Sequence, residues 1–285
     1  MLCPRGCGAD RRFEAGACGV LSLSRIARFA PHYWEEPCIS GERGSGAVFF
    51  SGCNLNCVFC QNHRISRVQT GRAVSAGEMA DIMLQLQSLE VHNINLVTPT
   101  PHIELILEAI PLARARGLTI PCIYNTNGYE TVETLKRLEG LIDVYLPDLK
   151  YTQETIAHRY SGAKDYFKFA VPAIDEMFRQ RGLMRLDQYG IAQEGVIIRH
   201  LVLPGSIDET RRVLKYIRSR FPRDICLSLM GQYTPSYHAD YPPINRGLLA
   251  REYQRAVECC VSLGFTNVYI QDVRSSGSAY IPDFD

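Results

Sequence analysis

The feature that most constrains the fold is an alternation, from Ala47 onward, between short apolar runs and stretches with helical periodicity. The apolar runs are predicted strands, at 47–52, 94–98, 120–125, 142–148, 196–203 and 225–230. The stretches between them predict helices, at about 75–90, 102–116, 130–139, 208–220 and 247–263. Alternation of this kind is typical of βα units around a mainly parallel sheet. We therefore predict an α/β fold, a partial (βα)6 TIM-like barrel.

Residues near the predicted helix ends support this division. Ser75 and Glu78 form a capping-box pattern at the start of the first helix, and Gly117 and Gly264 stand where helices end. The segment 152–193 is predicted to be an insertion that contains one helix, at 171–182.

A weak final strand is predicted at 267–271. The chain then divides into an N-terminal Cys-containing extension (1–45), the partial barrel (46–271) and a C-terminal tail (272–285).

The overall composition excludes several classes of protein. The chain has 285 residues, 46% of them hydrophobic, and a net charge of +1. A balanced charge without a basic stripe argues against nucleic-acid partners, and no apolar run is long enough to span a membrane. We expect a cytoplasmic location, because no signal peptide is recognisable. The 11 cysteines are clustered, which in such a chain points to metal rather than disulfides.

Three cysteines carry the strongest chemical signal. In GCNLNCVFCQN, at 52–62, Cys53, Cys57 and Cys60 have CxxxCxxC spacing directly after the first predicted strand. The carboxyl ends of barrel strands are where such folds carry chemistry. Three thiolates can bind three irons of a cubane cluster and leave the fourth iron open. The alternative is a zinc site with His63 as the fourth ligand.

This motif resembles that of the radical S-adenosylmethionine (radical SAM) superfamily. From Ala47 to about Met230 the chain is similar to the branch of the pyruvate formate-lyase activating enzyme. Uncharacterised iron-sulfur proteins of that branch share CPRxC, EEP, ISG, GSG and CQN with this chain. The resemblance implies two cofactors, a 4Fe-4S cluster on the three cysteines and S-adenosylmethionine (SAM).

The resemblance also implies the reaction. The amino and carboxylate groups of SAM bind the open iron, and the reduced cluster cleaves SAM to a 5′-deoxyadenosyl radical that abstracts hydrogen. A flavodoxin- or ferredoxin-type protein would supply the electron. The substrate would be a glycyl-radical enzyme, another protein or a small molecule. The remaining class is a non-enzymatic iron-sulfur or zinc protein.

Residues near the cluster and after the second strand are the first candidates for SAM contacts. The resemblance places Phe59 and Asn62 near adenine, and it places Thr98 and Thr100 near the SAM amino group. Core packing is the alternative for Phe59, and a turn stiffened by Pro99 is the alternative for the threonines.

The ends of the next two strands add four candidates. Asn125 and Asn127 belong to NTNG, which is similar to the activase sequence DTNG. Asp148 and Lys150 lie two residues apart, so on a strand they share one face. Lys150 suits the SAM carboxylate, and Asp148 suits a ribose, a lysine or a monovalent cation. A surface salt bridge is the alternative for this pair.

The fifth and sixth strands complete the predicted SAM site. Arg199 interrupts an apolar strand, so a carboxylate partner is expected, and the resemblance makes that partner the SAM carboxylate. Gln232 and Tyr233 stand where the activase has a residue near adenine.

The other cysteines form two groups. Cys3, Cys7, Cys18 and Cys38 could bind zinc or a second cluster, or could remain free thiols. The second group is predicted to be buried as apolar side chains, and it contains Cys122, Cys226, Cys259 and Cys260.

Overall fold

A parallel sheet organises the chain, as a computed structural model shows for residues 2–67, 69–271 and 284. The strands are β1 (Arg25–His32), β2 (Ser45–Phe50), β3 (Arg72–Ala73), β4 (Ile94–Val97), β5 (Cys122–Thr126), β6 (Val144–Pro147), β7 (Arg185–Leu186), β8 (Ala192–Leu201), β9 (Cys226–Met230) and β10 (Val268–Ile270). The helices are α1 (Pro37–Ser40), α2 (His63–Ser66), α3 (Ala76–Ser88), α4 (Ile103–Ala115), α5 (Val132–Arg137), α6 (Glu154–Ser161), α7 (Tyr166–Arg181), α8 (Ile207–Arg220) and α9 (Ala250–Ser262).

The order of strands across the sheet is β10-β9-β8-β6-β5-β4-β2-β1-β3, and β7 pairs with β8. All neighbours from β2 to β10 along this order are parallel, and β1 is antiparallel to both β2 and β3. Parallel strands need helical crossovers, which accounts for the helices between them. The predicted α/β partial barrel of six βα units is confirmed, and the weak final strand is β10.

Helix ends follow the signals in the sequence. Ser75 accepts a hydrogen bond from the Glu78 main chain, and the Glu78 side chain accepts one from the Ser75 main chain, so the predicted capping box opens α3. Gly117 has φ +103° just after α4, a conformation that other residues rarely adopt.

Helix α1 closes the amino-terminal end of the barrel, here called its lower end. Cys38 and Ile39 pack against Ile123, Val144 and Ile197. Ile123 and Val144 lie at or next to the first residues of β5 and β6, and Ile197 pairs with Cys226, the first residue of β9. Apolar side chains therefore pack beneath α1 at the amino-terminal end of the barrel.

Two parts of the chain differ from their predicted form. The segment 1–45, expected to be an extension, contributes β1 to the sheet. Most β1 side chains are only partly buried, so the strand lacks the alternation that would have revealed it. The insertion 152–193 contains α6 and β7 besides the expected helix. That helix, α7, begins at Tyr166 rather than at 171, so Pro172 lies inside it rather than near its start. The predicted tail 272–285 lies outside the described residues apart from Phe284.

Across the part of the chain with described structure, no helix combines the length and the apolar character needed to cross a bilayer.

Candidate active site

The loop 51–62, here called the cluster loop, connects β2 to α2 and carries all three motif cysteines. Gly52 begins it with φ +91°. A Cβ at this position would lie 2.3 Å from Val20 Cγ2 and 2.8 Å from the carbonyl oxygen of Cys18. Glycine therefore allows the N-terminal segment to pack directly against the cluster loop.

Arg5 fixes the same loop from the other side. Its Nε donates to the carbonyl oxygen of Asn54 at 2.6 Å, and its Nη1 donates to the carbonyl oxygen of Gly162 at 2.6 Å. Hydrogen bonds from a charged donor are stronger than neutral ones, so this side chain ties the cluster loop to the end of α6.

Each cluster cysteine has a polar neighbour. Cys57 Sγ lies 3.0 Å from Ser161 Oγ, and Cys60 Sγ lies 3.7 Å from Ser66 Oγ. The Asn127 amide donates to Cys53 Sγ at 3.4 Å. A donor such as the Asn127 amide stabilises negative charge on sulfur, as thiolate ligands require.

The cysteines also lie close enough to influence one another. Burial, with the nearby Cys57 and Cys60 sulfurs, raises the pKa of Cys53 to about 12. Burial, with Cys57, raises the pKa of Cys60 to about 11. Without metal these thiols hold their protons, and an iron centre would hold them as thiolates.

The geometry favours an iron-sulfur cluster over zinc. In residues 2–67, 69–271 and 284, no three His, Cys, Asp or Glu side chains converge on a position for one metal ion. His63, the possible fourth zinc ligand, lies 3.1 Å from the Cys60 carbonyl oxygen through Nδ1 and stacks on Tyr237. Structural zinc needs four convergent ligands, whereas a cubane takes each thiolate on a different iron. The three cysteines therefore fit the cluster.

A cavity of about 270 Å³ adjoins the cluster loop. Cys57 and Cys60 form part of its wall. Eight of the predicted SAM contacts also line it: Phe59, Asn62, Asn125, Asp148, Lys150, Arg199, Gln232 and Tyr233. These eight residues come from five separate loops and strands, and the fold brings them to one cavity.

Asp148 and Lys150 form an ion pair inside the cavity. Lys150 Nζ lies 2.5 Å from Asp148 Oδ2, and only 15% and 21% of the two side chains are exposed. Burial disfavours the charged amine, but Asp148 and the sulfur of Cys57 outweigh it and raise the pKa of Lys150. The pair is therefore not a surface salt bridge, and it places a fixed positive charge beside the cluster loop.

Aromatic side chains form another part of the wall. The Phe59 ring packs edge-to-face against Tyr233, with centroids 5.8 Å apart. The Tyr233 hydroxyl donates to the carbonyl oxygen of Ile244 at 2.6 Å. Tyr233 thus offers its ring rather than its hydroxyl to the cavity, and Phe59 is both a packing residue and a wall residue.

Thr98, Thr100 and Asn127 do not line the cavity. Thr100 is fully buried, and its hydroxyl donates to Glu130 Oε1 at 2.5 Å. Asn127 directs its amide to Cys53 and to Asn54 Oδ1. The Thr100 hydroxyl is thus engaged by a buried carboxyl and the Asn127 amide by the cluster loop, and the SAM contacts predicted for these two residues stay predictions.

Thr98 has the left-handed conformation, with φ +58°. Its main-chain N–H donates to the carbonyl oxygen of Asn125 at 3.0 Å, next to Val97 of the cavity wall. Such a conformation is unusual for a β-branched residue, and it turns the chain sharply at the carboxyl end of β4. The structure gives its side chain no place on the wall.

Arg199 receives its expected carboxylate from the protein itself. Its Nε donates to Glu36 Oε1 at 2.9 Å, and its Nη2 donates to Glu36 Oε2 and, at 2.5 Å, to Glu35 Oε2. Glu35 and Glu36 raise the pKa of Arg199 against the opposing effect of burial. The prediction of a carboxylate partner was correct, but assigning it to SAM alone overlooked these glutamates.

Among the N-terminal cysteines, Cys38 lies apart from Cys3, Cys7 and Cys18, and burial, with Cys18 and Cys7 nearby, raises the pKa of Cys3. Cys38 is buried in α1 beside Cys226, in the apolar lower end of the barrel. Cys7 and Cys18 lie elsewhere, each with Sγ 3.4 Å from the position of a Cβ on Gly16. Cys122, Cys226 and Cys260 are buried and Cys259 is partly buried, as predicted.

Comparison with known proteins agrees with this site. Residues 47–217 match the Radical SAM superfamily. An uncharacterised protein of Methanocaldococcus jannaschii is 32% identical over 279 residues, which span 94% of this chain and 76% of that protein.

One solved structure is similar in fold, and a second aligns with a lower TM-score. The FeFe-hydrogenase maturase HydG of Carboxydothermus hydrogenoformans aligns with TM-score 0.52 and 16% identity, over 76% of this chain and 50% of the maturase chain. A domain of a pyruvate-formate lyase-activating enzyme from Bacteroides vulgatus aligns with TM-score 0.44 and 14% identity, over 61% of this chain and 94% of that domain. On its sequence match and its cysteine loop, this protein belongs to the radical SAM superfamily, whose members use a 4Fe-4S cluster and SAM.

Proposed function

We propose that this protein abstracts a hydrogen atom from a substrate bound in the cavity beside the cluster loop. The observation that carries the proposal is that Cys57 and Cys60 share one cavity wall with Lys150 and Asn62. A cluster held by Cys53, Cys57 and Cys60, with SAM, supplies the 5′-deoxyadenosyl radical.

The side chains of the wall then have distinct tasks. The Lys150 ammonium binds the carboxylate of SAM, because it is the positive charge nearest to the cluster loop that a ligand can reach. Phe59 and the ring of Tyr233 bind the flat adenine base, and Asn62 offers it an amide. These groups orient SAM, and the apolar side chains of Leu201 and Met230 help to exclude water from the reacting atoms.

The substrate distinguishes two forms of the proposal. In the first form, the substrate is a small molecule or an exposed protein side chain that enters the cavity beside SAM. A glycyl-radical enzyme is the second candidate, and its support is the resemblance of NTNG and DLK to the activase. The side chains of that first motif are engaged internally, since Asn125 bonds to Glu35 and Arg199. We therefore favour the first form. The flavodoxin- or ferredoxin-type reductant remains a prediction.

The test is anaerobic reconstitution with iron and sulfide, reduction with dithionite, addition of SAM and measurement of 5′-deoxyadenosine. We expect product from the natural protein and none from Cys57→Ala. Cys226→Ala is the matched control, because Cys226 is buried at the lower end of the barrel. Absence of product from a fully loaded cluster would contradict the proposal, and so would an intact zinc-loaded Cys57→Ala protein.

A further inference from the structure

The end of helix α6 lies against the cluster loop on both sides of Cys57. The main-chain N–H of Asn56 donates to the carbonyl oxygen of Ser161 at 3.0 Å. The main-chain N–H of Val58 donates to the carbonyl oxygen of Tyr160 at 2.9 Å. Because these bonds flank Cys57, they hold the Ser161 side chain beside its sulfur, with Oγ and Sγ 3.0 Å apart.

A tyrosine hydroxyl continues this contact away from the sulfur. Tyr151 Oη lies 2.9 Å from Ser161 Oγ, and the two residues are 1% and 0% exposed. Cys57 lines the cavity, whereas Ser161 and Tyr151 do not. Cys57, Ser161 and Tyr151 thus form a buried series of polar groups, here called the Cys57 chain, that meets the cavity only at its cysteine.

The direction of the hydrogen bonds in the Cys57 chain follows from the charge on the cysteine. A thiolate bound to iron has no proton, so the bond at the Cys57 sulfur is donated by Ser161. A serine hydroxyl has a single proton, and this bond uses it. Ser161 Oγ therefore accepts from Tyr151, since a phenol keeps its proton near pH 7. Both hydroxyls of the chain donate toward the cluster.

Among the described residues, Cys57 has the closest side-chain hydroxyl or amide of the three cluster cysteines. The side-chain groups near the other two sulfurs lie farther away, at 3.4 and 3.7 Å. Ser161, at 3.0 Å, is in addition polarised by the second hydroxyl of the chain. Hydrogen bonds in series strengthen one another by about 10–30% per bond. The fold therefore directs its strongest side-chain donor at Cys57.

A donor at a ligand sulfur favours the reduced cluster. Reduction adds one negative charge to the cluster and its ligands, and hydrogen bonds to the sulfurs are among the factors that set the reduction potential. A hydrogen bond to an acceptor grows stronger as the acceptor becomes more negative, so it stabilises the reduced state more than the oxidised state.

We propose that Ser161 and Tyr151 are positioning residues that act through Cys57 to raise the reduction potential of the cluster. This inference deepens the proposed function and rests on it, because SAM cleavage consumes the electron that this potential governs. In the step concerned, a one-electron reductant such as dithionite loses one electron and the cluster gains it. No covalent bond forms or breaks, and each hydroxyl proton stays on its own oxygen.

The test measures the reduction potential of the cluster-loaded protein without SAM, by anaerobic potentiometry with electron paramagnetic resonance of the reduced cluster. Ser161→Ala should lower the potential. The ratio of reduced to oxidised cluster at a fixed solution potential should fall about tenfold, or about 59 mV for one electron. Tyr151→Phe keeps the ring and leaves the Ser161 hydroxyl in place, so it should lower the same ratio only about twofold.

The double variant shows whether Tyr151 acts through Ser161. In the Ser161→Ala background, Tyr151→Phe should cause no further change, since the hydroxyl it removes no longer leads to the sulfur. An equal effect of Tyr151→Phe in both backgrounds would overturn the inference. So would a potential in Ser161→Ala that equals or exceeds the natural one. If Ser161→Ala retains no cluster, Tyr151→Phe decides alone, and an unchanged potential overturns the inference.

Two matched substitutions remove buried hydroxyls elsewhere. Ser45→Ala removes a donor to Asn93 at 2.6 Å, and Tyr145→Phe removes a donor to Gln180 at 2.6 Å. Both variants should keep the natural potential even where unfolding free energy falls. A shift as large as that of Ser161→Ala in either control would show that the potential follows general stability, and the inference would be wrong.

This measurement also separates the inference from the proposed function, since it needs the cluster but not SAM. If the natural protein cleaves no SAM, the proposed function fails, and the potentials still decide the inference. SAM affinity should be unchanged in Ser161→Ala and Tyr151→Phe, because neither residue lines the cavity. A loss of affinity of about tenfold in both variants would place the two residues in the SAM site and contradict a role through Cys57.

Discussion

The main-chain N–H of Cys53 donates to the carbonyl oxygen of Cys18 at 3.2 Å, and this bond joins the N-terminal segment to the cluster loop. Arg67 adds a second connection, donating from Nη1 to the carbonyl oxygen of Ala17 at 3.0 Å. With the bonds of Arg5, these contacts make the first twenty residues part of the support of the cluster loop.

Replacing Arg5 should loosen the cluster loop. Arg5→Ala removes the donors to the carbonyl oxygens of Asn54 and Gly162, and we expect a loss of about 1–3 kcal/mol in unfolding free energy. The amount of iron that the variant retains after gel filtration should fall together with its stability. Arg12→Ala is the control, because Arg12 is 75% exposed and forms a surface pair with Asp10. Equal iron retention in the two variants would contradict a supporting role for Arg5.

Substitutions of Lys150 and Thr100 should differ in their effect on SAM affinity. Lys150→Gln removes a positive charge from the cavity wall, and we expect SAM affinity to fall by about tenfold or more. Thr100→Val should leave that affinity unchanged, because the hydroxyl is buried against Glu130. Calorimetry on the cluster-loaded variants measures both. A weakened Thr100→Val variant would restore the contact predicted from sequence.

Arg199 should be required for folding stability. Arg199→Ala leaves Glu35 and Glu36 without their shared cation, and we expect a loss of about 3–5 kcal/mol. The double variant Arg199→Ala with Glu36→Gln should lose less than the single variants Arg199→Ala and Glu36→Gln combined, since it removes one carboxylate with the cation. Chemical denaturation followed by circular dichroism gives the four values. Strict additivity would show that the pair is not coupled.

Glu130 should make stability depend on pH. Burial raises its pKa from the ordinary value of 4.5 to about 7, although Thr100 and Thr126 donate to it. A raised pKa favours the protonated form in the folded state. The stabilisation it gives is complete below about pH 4.5 and is lost as pH rises through about 7.

The size of this effect has an upper limit of about 3 kcal/mol. We expect unfolding free energy to fall between about pH 5 and pH 8 more steeply in the natural protein than in Glu130→Gln, which cannot ionise. Denaturant titrations across this range measure the two slopes. Parallel slopes would show that Glu130 does not titrate there.

The parallel strands were predictable because each is a short apolar run bounded by polar residues, and the run 196–203 indeed overlaps the second half of β8. Strand β1 could not be predicted in this way, since it lies at one side of the sheet and most of its side chains are partly exposed. The helix α6 was missed inside the insertion because its sequence, ETIAHRYS, has too short a periodic pattern to be distinguished from a loop.

In the candidate site, too, some residues could be predicted from the sequence and others could not. Cys53, Cys57 and Cys60 follow from local spacing, and Lys150 follows from a strand end. Glu36 contacts Arg199 across 163 positions of sequence, a relationship that no local pattern encodes. The sequence indicated this contact only indirectly. A charged residue in an apolar strand needs a partner of opposite charge, and the two glutamates before Pro37 could supply it.

The bond between Arg5 and Gly162 joins positions 157 residues apart. During synthesis, the three cluster cysteines leave the ribosome long before Gly162 exists. For that interval Arg5 lacks its acceptor at Gly162. This brace of the cluster loop therefore depends on chain that is synthesised about a hundred residues after the last cluster cysteine, and it forms only once α6 has docked.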